Sequence, residues 1–169
     1  MKFWTLILAV LTLTLPLYGA AAQTDQLPEP YDNPSSPVDL LSSYYNAINR
    51  AEYERAYGYW QTAPDSYETF VRGFAQTEQV QLIVQPPARV GVAAGSQYVD
   101  IPTVLIAELR NGTQQTFAGC FVTRQSNLQV PDIPEEATIW HLYSADLEQV
   151  ANDAPIPDLL AEACAPAAG

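Results

Sequence analysis

The chain has 169 residues, of which 7 are lysine or arginine and 19 are aspartate or glutamate, so its formal net charge is −12. This length suits one domain with flanking segments, and so acidic a surface repels nucleic acids and anionic lipids, which excludes both as expected partners. The carboxylates are scattered without the spacing of a calcium loop, so we expect no metal or other cofactor. The charge favours solubility, with capture of cations or basic partners as the alternative.

Residues 1–22 have the pattern of a secretory signal peptide. Lys2 supplies a positive start, residues 3–17 are almost entirely apolar, and residues 20–22 are alanines at the positions that a signal peptidase reads. The apolar run is shorter than the roughly 20 residues that span a membrane comfortably, and an uncleaved anchor is the alternative interpretation. The pattern predicts a secreted or periplasmic protein with no stable membrane anchor after cleavage.

Residues 23–36 are rich in Pro, Asp, Asn and Ser and lack apolar periodicity, which predicts a flexible linker. A folded domain is expected over residues 37–151. Residues 152–169 form a predicted C-terminal tail of similar composition, with a possible short turn of helix near residues 157–164.

Three helices are predicted in the first half of the chain. The first begins with Ser36 as N-cap, Pro37 at the first helical position and Asp39 three residues after the cap. Its apolar face comprises Val38, Leu41, Tyr45 and Ile48. A second, shorter apolar segment comprises Ala56, Tyr57, Tyr59 and Trp60. The third helix is expected to use Asp65 as its cap, and its apolar face comprises Tyr67, Phe70, Val71 and Phe74.

The period of the pattern then changes to two, which predicts strands over residues 78–86, 96–110, 114–125 and 137–147. Pro102 indicates a bulge or an edge position in the second strand. Asn111 and Gly112 favour a hairpin turn; with Thr113 they also match a glycosylation sequon, but the turn explains them fully. Helices followed by an antiparallel meander indicate the α+β class.

Cys120 and Cys164 are the two cysteines of the chain. In an exported protein the expected state is a single disulfide, which would tie the C-terminal tail to the domain. A metal or redox pair is the alternative, but the sequence has no C-x-x-C motif and one histidine.

Four segments, taken in order, resemble the nuclear transport factor 2-like superfamily, especially its exported bacterial members: LLSSYYNAINRAEYERAYGYW, VDIPTVL, FAGCFVTR and IWHLYSADL. The resemblance covers about residues 37–151. It implies N-terminal helices packed on a curved antiparallel sheet, with a cone-shaped cavity between them. In enzyme members an Asp, a Tyr or a His in that cavity moves protons; other members bind a ligand without chemistry, or have a filled cavity.

Two residues are candidates for acid–base catalysis. His141 would titrate near neutral pH, and a buried Asp100 with a raised pKa could carry a proton. Strand alternation argues against both, because Trp140 and Leu142 would face the helices while His141 faces away. Asp100 likewise lies opposite the more apolar side of its strand. An error of one residue in register would reverse these assignments.

The aromatic side chains predict either a filled core or an aromatic-walled pocket. The residues expected at such a ligand pocket are Tyr45, Tyr57, Trp60, Phe74 and Trp140. Sequence motifs for serine nucleophiles, phosphate loops and zinc proteases are absent.

The sequence therefore favours an exported, non-catalytic binding or interaction domain whose partner is a small apolar ligand or a protein. The alternative is an isomerase- or dehydratase-like enzyme that uses a cavity carboxylate or histidine. The outer face of the sheet could support a homodimer through Ile139 and Tyr143, with Phe121 or Cys120 nearby.

Overall fold

Four helices and five strands form the described part of the chain, which is residues 27–126 and 139–165 of the computed structural model. The predicted signal peptide, residues 1–22, lies outside the described residues. The elements are α1 (Pro37–Asn49), α2 (Tyr53–Gly58), α3 (Tyr67–Gly73), β1 (Thr77–Val84), β2 (Arg89–Ala93), β3 (Ser96–Leu109), β4 (Gln114–Ser126), β5 (His141–Val150) and α4 (Ile156–Glu162).

The five strands form one curved antiparallel sheet in which β3 is central. β1 pairs with the C-terminal half of β3 and β2 with its N-terminal half, while β4 and then β5 follow along the other edge. α1 packs on one face, so the predicted α+β class, with N-terminal helices on a curved antiparallel sheet, is confirmed. The sequence analysis does not predict β2, a strand of five residues that are all exposed.

β3 is buried on both of its faces. Val99, Ile101, Leu105 and Ala107 belong to the core cluster beneath α1, and we call this side of the sheet the concave face. Val104 points to the opposite, convex face and is fully buried there. Because successive side chains alternate, a strand covered on both sides reads as a nearly continuous apolar run.

α1 begins where the capping signal places it. The Ser36 hydroxyl accepts a hydrogen bond from the Asp39 backbone N–H (3.1 Å) and donates one to the Asp39 carboxylate (2.6 Å). The buried side of the helix is broader than the predicted stripe and comprises Leu40, Leu41, Ser43, Tyr44, Tyr45, Ala47 and Ile48. It is broader because the chain that precedes the helix covers part of its outer side.

Residues 27–36, part of the expected flexible linker, lie along α1 and α2 through hydrogen bonds. The Arg55 guanidinium donates to the Tyr31 carbonyl at 2.9 Å, and the Tyr59 hydroxyl donates to the Asp32 carboxylate at 2.6 Å. Apolar periodicity does not reveal this attachment, because polar groups make it.

Two element boundaries differ from those predicted. Ser66, and not Asp65, caps α3, since its hydroxyl accepts from the Thr69 backbone N–H at 3.4 Å. The last strand runs from His141 to Val150, whereas the pattern places it over residues 137–147. At the cap, Asp65 and Ser66 are both residue types that favour the N-cap position, so the pattern does not distinguish them. The ends of a strand are likewise defined by the sequence only to within a few residues.

Pro102 lies where β3 changes its partner from β1 to β2. The Pro102 carbonyl accepts from the Gln85 N–H at 3.2 Å, so the proline nitrogen, which has no hydrogen to donate, faces the same gap between strands. The register with β4 passes through Pro102 and Cys120 without interruption. Of the two predicted alternatives, the bulge is wrong and the local edge position is observed.

Two features bend β4 and β5. The register shifts between Val122 and Thr123, because β5 holds one extra residue, Tyr143. At Gly119 the two backbones approach so closely that a Cβ atom would collide with the Asp146 carbonyl group. Together these features curve the sheet around the space beneath the helices.

The C-terminal tail crosses the convex face. α4 contacts β3 and β4, and Leu160 is its one buried residue. The predicted disulfide between Cys120 and Cys164 is present and joins β4 to the end of this tail.

Candidate functional site

A cavity of about 1110 Å³ lies between the helices and the concave face of the sheet. α1 contributes Tyr44 and Tyr45, the chain after α3 contributes Phe74, and the sheet contributes side chains such as Leu105 and Phe117. Among the described residues, the lining contains no Asp, Glu, His, Lys, Arg or Cys. The wall is therefore neutral and largely apolar in a protein whose net charge is −12.

Four aromatic rings form one wall of this cavity, with Phe121 at their centre. The centroid of the Phe121 ring lies 6.5 Å from that of Tyr44, 6.2 Å from that of Tyr45 and 6.4 Å from that of Trp60. Tyr44 also meets Tyr45 edge-to-face at 4.9 Å. Edge-to-face rings hold one another in place, so this wall is a rigid aromatic surface.

The titratable groups in this wall are tyrosines that stay protonated. Burial raises the pKa of the Tyr44 hydroxyl well above its usual range, and the nearby Trp60 N–H acts weakly in the opposite direction. That N–H is itself buried and meets no acceptor at hydrogen-bonding geometry among the described residues. Burial also raises the pKa of the Tyr45 hydroxyl, and proximity to Tyr44 adds to the rise. Both hydroxyls are therefore neutral donors at physiological pH.

Three of the five residues expected at a ligand pocket line the cavity: Tyr45, Trp60 and Phe74. Trp140 is buried in the core cluster instead. Tyr57 points toward α3, where its hydroxyl donates to the Asp65 carbonyl at 2.9 Å.

The sequence misses Tyr44, Phe121, Leu105 and Phe117 as cavity residues. Tyr44 is not among the residues of the predicted stripe, although it lies three residues after Leu41 and four before Ile48. The other three are in strands, and alternation alone does not show which residues of the concave face border the cavity.

Asp100 lies outside the cavity. It alternates with Val99 and Ile101 and therefore points to the convex face, as the sequence predicts. It is nevertheless buried, because Arg89 from β2 covers it with a hydrogen bond of 2.6 Å from the guanidinium Nε. The sequence does not reveal this ion pair, because β2 is not predicted.

His141 also lies away from the cavity lining. It pairs with Arg124 of β4, while its neighbours Trp140 and Leu142 are buried in the core cluster on the concave side. Neither acid–base candidate is thus positioned to reach a molecule in the cavity.

The residues considered for a homodimer lie on both sides of the sheet. Ile139 and Tyr143 are exposed, whereas Phe121 is buried in the core and Cys120 is in the disulfide. Phe121 is therefore unavailable to a partner at the outer face.

Within residues 27–126 and 139–165, no three acidic, histidine or cysteine side chains are grouped in a way that could hold a metal ion. No helix there has both the length and the apolar character required to cross a membrane.

Comparison with known proteins finds similarity in structure. No protein-family model matches the chain, and no curated protein matches it. A nuclear transport factor 2-like superfamily protein from Salmonella enterica serovar Typhimurium is 13% identical, with a TM-score of 0.46 over 69% of this chain and 89% of the other. This similarity is one of fold, at low sequence identity.

Two other solved structures are similar to a comparable extent. A conserved protein from Planctomyces limnophilus is 9% identical, with a TM-score of 0.47 over 66% of this chain and 92% of the other. A proposed dehydratase of the nuclear transport factor 2-like family from Streptomyces avermitilis is 17% identical, with a TM-score of 0.44 over 66% and 92% of the two chains.

Proposed function

We propose that this protein is an exported, non-catalytic domain that binds a small, uncharged apolar ligand in the cavity beneath α1. The observation that carries the proposal is the cavity itself, which combines a volume of about 1110 Å³ with a wall of neutral, mostly apolar side chains. Cavities of this size and character are typical of small-molecule sites. Export is inferred from the signal-peptide pattern of residues 1–22 and agrees with the disulfide.

The alternative, an acid–base enzyme, requires an ionisable group that reaches the substrate and has a pKa near neutrality. Asp100 and His141 lie outside the cavity lining, and Asp100 is paired with Arg89. The raised pKa values of Tyr44 and Tyr45 disfavour proton abstraction by either hydroxyl. The geometry thus favours binding over proton transfer.

Titration with Nile red, a neutral apolar dye, tests the proposed function. We expect its fluorescence to rise in a saturable manner with one dye bound per chain. Ala145 lies on the open side of the cavity, opposite Phe121 in the sheet register. The substitution Ala145→Phe should obstruct the cavity and weaken the binding about tenfold, which corresponds to roughly 1.4 kcal/mol of lost contact.

The matched control is Ala93→Phe, which adds the same side chain to exposed β2, outside the cavity lining. It should leave the affinity for the dye unchanged. Equal effects of the two substitutions, or the absence of saturable binding by the unmodified protein, would refute the proposal.

A further inference from the structure

We infer that the ligand is an uncharged molecule with an apolar body and one hydrogen-bonding end, and that the hydroxyls of Tyr44 and Tyr45 bind this end. This inference rests on the proposed function and adds the chemical class of the ligand to it.

Three other tyrosines near the helices have an acceptor for the hydroxyl among the described residues. Tyr31 donates to Asp39 at 2.7 Å, Tyr57 donates to a backbone carbonyl at 2.9 Å, and Tyr59 donates to a carboxylate at 2.6 Å. These three residues are more exposed than Tyr44 and Tyr45, so water could satisfy them more easily.

Tyr44 and Tyr45 are only 4% and 5% exposed, and no described residue accepts a hydrogen bond from either hydroxyl, although the Trp60 N–H approaches the Tyr44 oxygen as a donor. Buried tyrosine hydroxyls usually have a partner, because an unmade hydrogen bond in a buried site costs about 1–3 kcal/mol. Both side chains line the cavity, so a polar group of a bound molecule can take the place of solvent as the acceptor for their hydroxyls.

The charge of that polar group follows from the rest of the wall. Burial of a carboxylate or an ammonium group requires a compensating charge, and the described lining offers none. The two hydroxyls remain protonated because burial raises their pKa values, so they can donate to a carbonyl or hydroxyl oxygen. A neutral alcohol, ketone or ester therefore fits the site better than a hydrocarbon or a fatty-acid anion.

The test uses three molecules of nearly the same shape: naphthalene, β-naphthol and β-naphthoate. Their affinities are measured at neutral pH by displacement of Nile red from the protein. We expect β-naphthol to bind roughly three- to tenfold more tightly than naphthalene, as one additional hydrogen bond implies, and β-naphthoate to bind most weakly.

The substitutions Tyr44→Phe and Tyr45→Phe remove the hydroxyls and keep the rings. Together they should abolish the preference for β-naphthol and leave the affinity for naphthalene unchanged. An unchanged affinity for naphthalene would also show that the cavity remains intact. Tyr67→Phe is the matched control, because Tyr67 is exposed, lies outside the cavity lining and contacts Tyr57, which also lies outside it. It should preserve the preference.

The inference would be overturned if β-naphthol and naphthalene bound equally well, or if the preference for β-naphthol survived both substitutions. In either case, saturable binding of Nile red would still support the proposed function. Tightest binding by β-naphthoate would also overturn the inference. Failure of Nile red to bind would refute the proposed function and this inference with it.

Discussion

At the scale of single residues, Ser36 has the clearest energetic role. Its hydroxyl caps α1 through the Asp39 N–H and also donates to the Asp39 carboxylate. The substitution Ser36→Ala should lower the free energy of unfolding by about 1 kcal/mol, the usual effect of losing such a cap, as measured by urea denaturation at neutral pH. Ser35→Ala is the matched control, since the bond that Ser35 makes to Asn33 uses its backbone N–H.

The effect of Ser36→Ala should depend on pH in a defined direction. Hydrogen bonds from Ser36 and then from Tyr31 lower the pKa of Asp39 below its usual value of 3.8. A lowered folded-state pKa gives stability that is present above the unfolded-state pKa and is lost as the pH falls through the folded-state pKa. The difference between Ser36→Ala and the unmodified protein should therefore shrink in acid below that usual value. A difference that is constant or grows in acid would contradict this account.

The sequence predicts the position of some candidate site residues and not of others, and particular residues show why. The alternation of side chains along a strand suffices to predict that Asp100 and His141 lie away from the concave face. It does not show that Asp100 is buried under Arg89, because that contact depends on β2, a short exposed strand that is not predicted. The predicted stripe of α1 includes Tyr45 and leaves out Tyr44, although the spacing of Tyr44 from Leu41 and Ile48 is also helical, and the buried side of the helix includes both.

At the scale of elements, the junction of β4 and β5 depends on Gly119. A Cβ atom at this position would lie within 2.9 Å of the Asp146 carbonyl group and the Leu147 Cα, which are backbone atoms that cannot rotate aside. The substitution Gly119→Ala should destabilise the protein by at least ~2 kcal/mol and lower its Tm, because the strands must separate or the sheet must flatten.

Gly91→Ala is the matched control for this prediction, since it adds the same methyl group to β2 where no atom lies within 4 Å. Its Tm should change little. A Tm for Gly119→Ala close to that of the unmodified protein, measured by scanning calorimetry, would show that β4 and β5 are not in close backbone contact.

Element type is more predictable than curvature. The helical and strand periods suffice to predict α1, β1, β3 and β4 nearly to their ends. The bulge at Tyr143 has no comparable signal, because an extra residue in one strand can be identified only when its partner is known. The shape of the cavity depends on that bulge, so the sequence predicts the residue types of the wall better than their arrangement.

At the scale of the whole molecule, the sheet separates two surfaces with different roles. The concave face holds the cavity and the aromatic wall, while the convex face carries α4 and the disulfide. α4 has 7 residues and buries only Leu160, which is too little apolar area to hold a short helix in place alone. The covalent link between Cys120 and Cys164 is therefore the main attachment of the tail.

Replacement of both cysteines by alanine tests this division. A disulfide between cysteines 44 positions apart contributes about 2–4 kcal/mol, so the double variant should unfold at a lower urea concentration. Amide hydrogens of residues 156–162 should exchange much faster, while those of α1 should change only by the global loss of stability. Affinity for Nile red should stay the same, because α4 lies on the face opposite to the cavity.

The control for the double variant is Leu160→Ala, which keeps the disulfide and removes the buried side chain of α4. It should accelerate exchange in residues 156–162 less than loss of the disulfide does, since the tail stays tethered to β4. Faster exchange in Leu160→Ala than in the double variant would show that apolar packing, and not the disulfide, holds the tail. Loss of dye binding in the double variant, with the fold retained, would show that the two faces are coupled through β3 and β4.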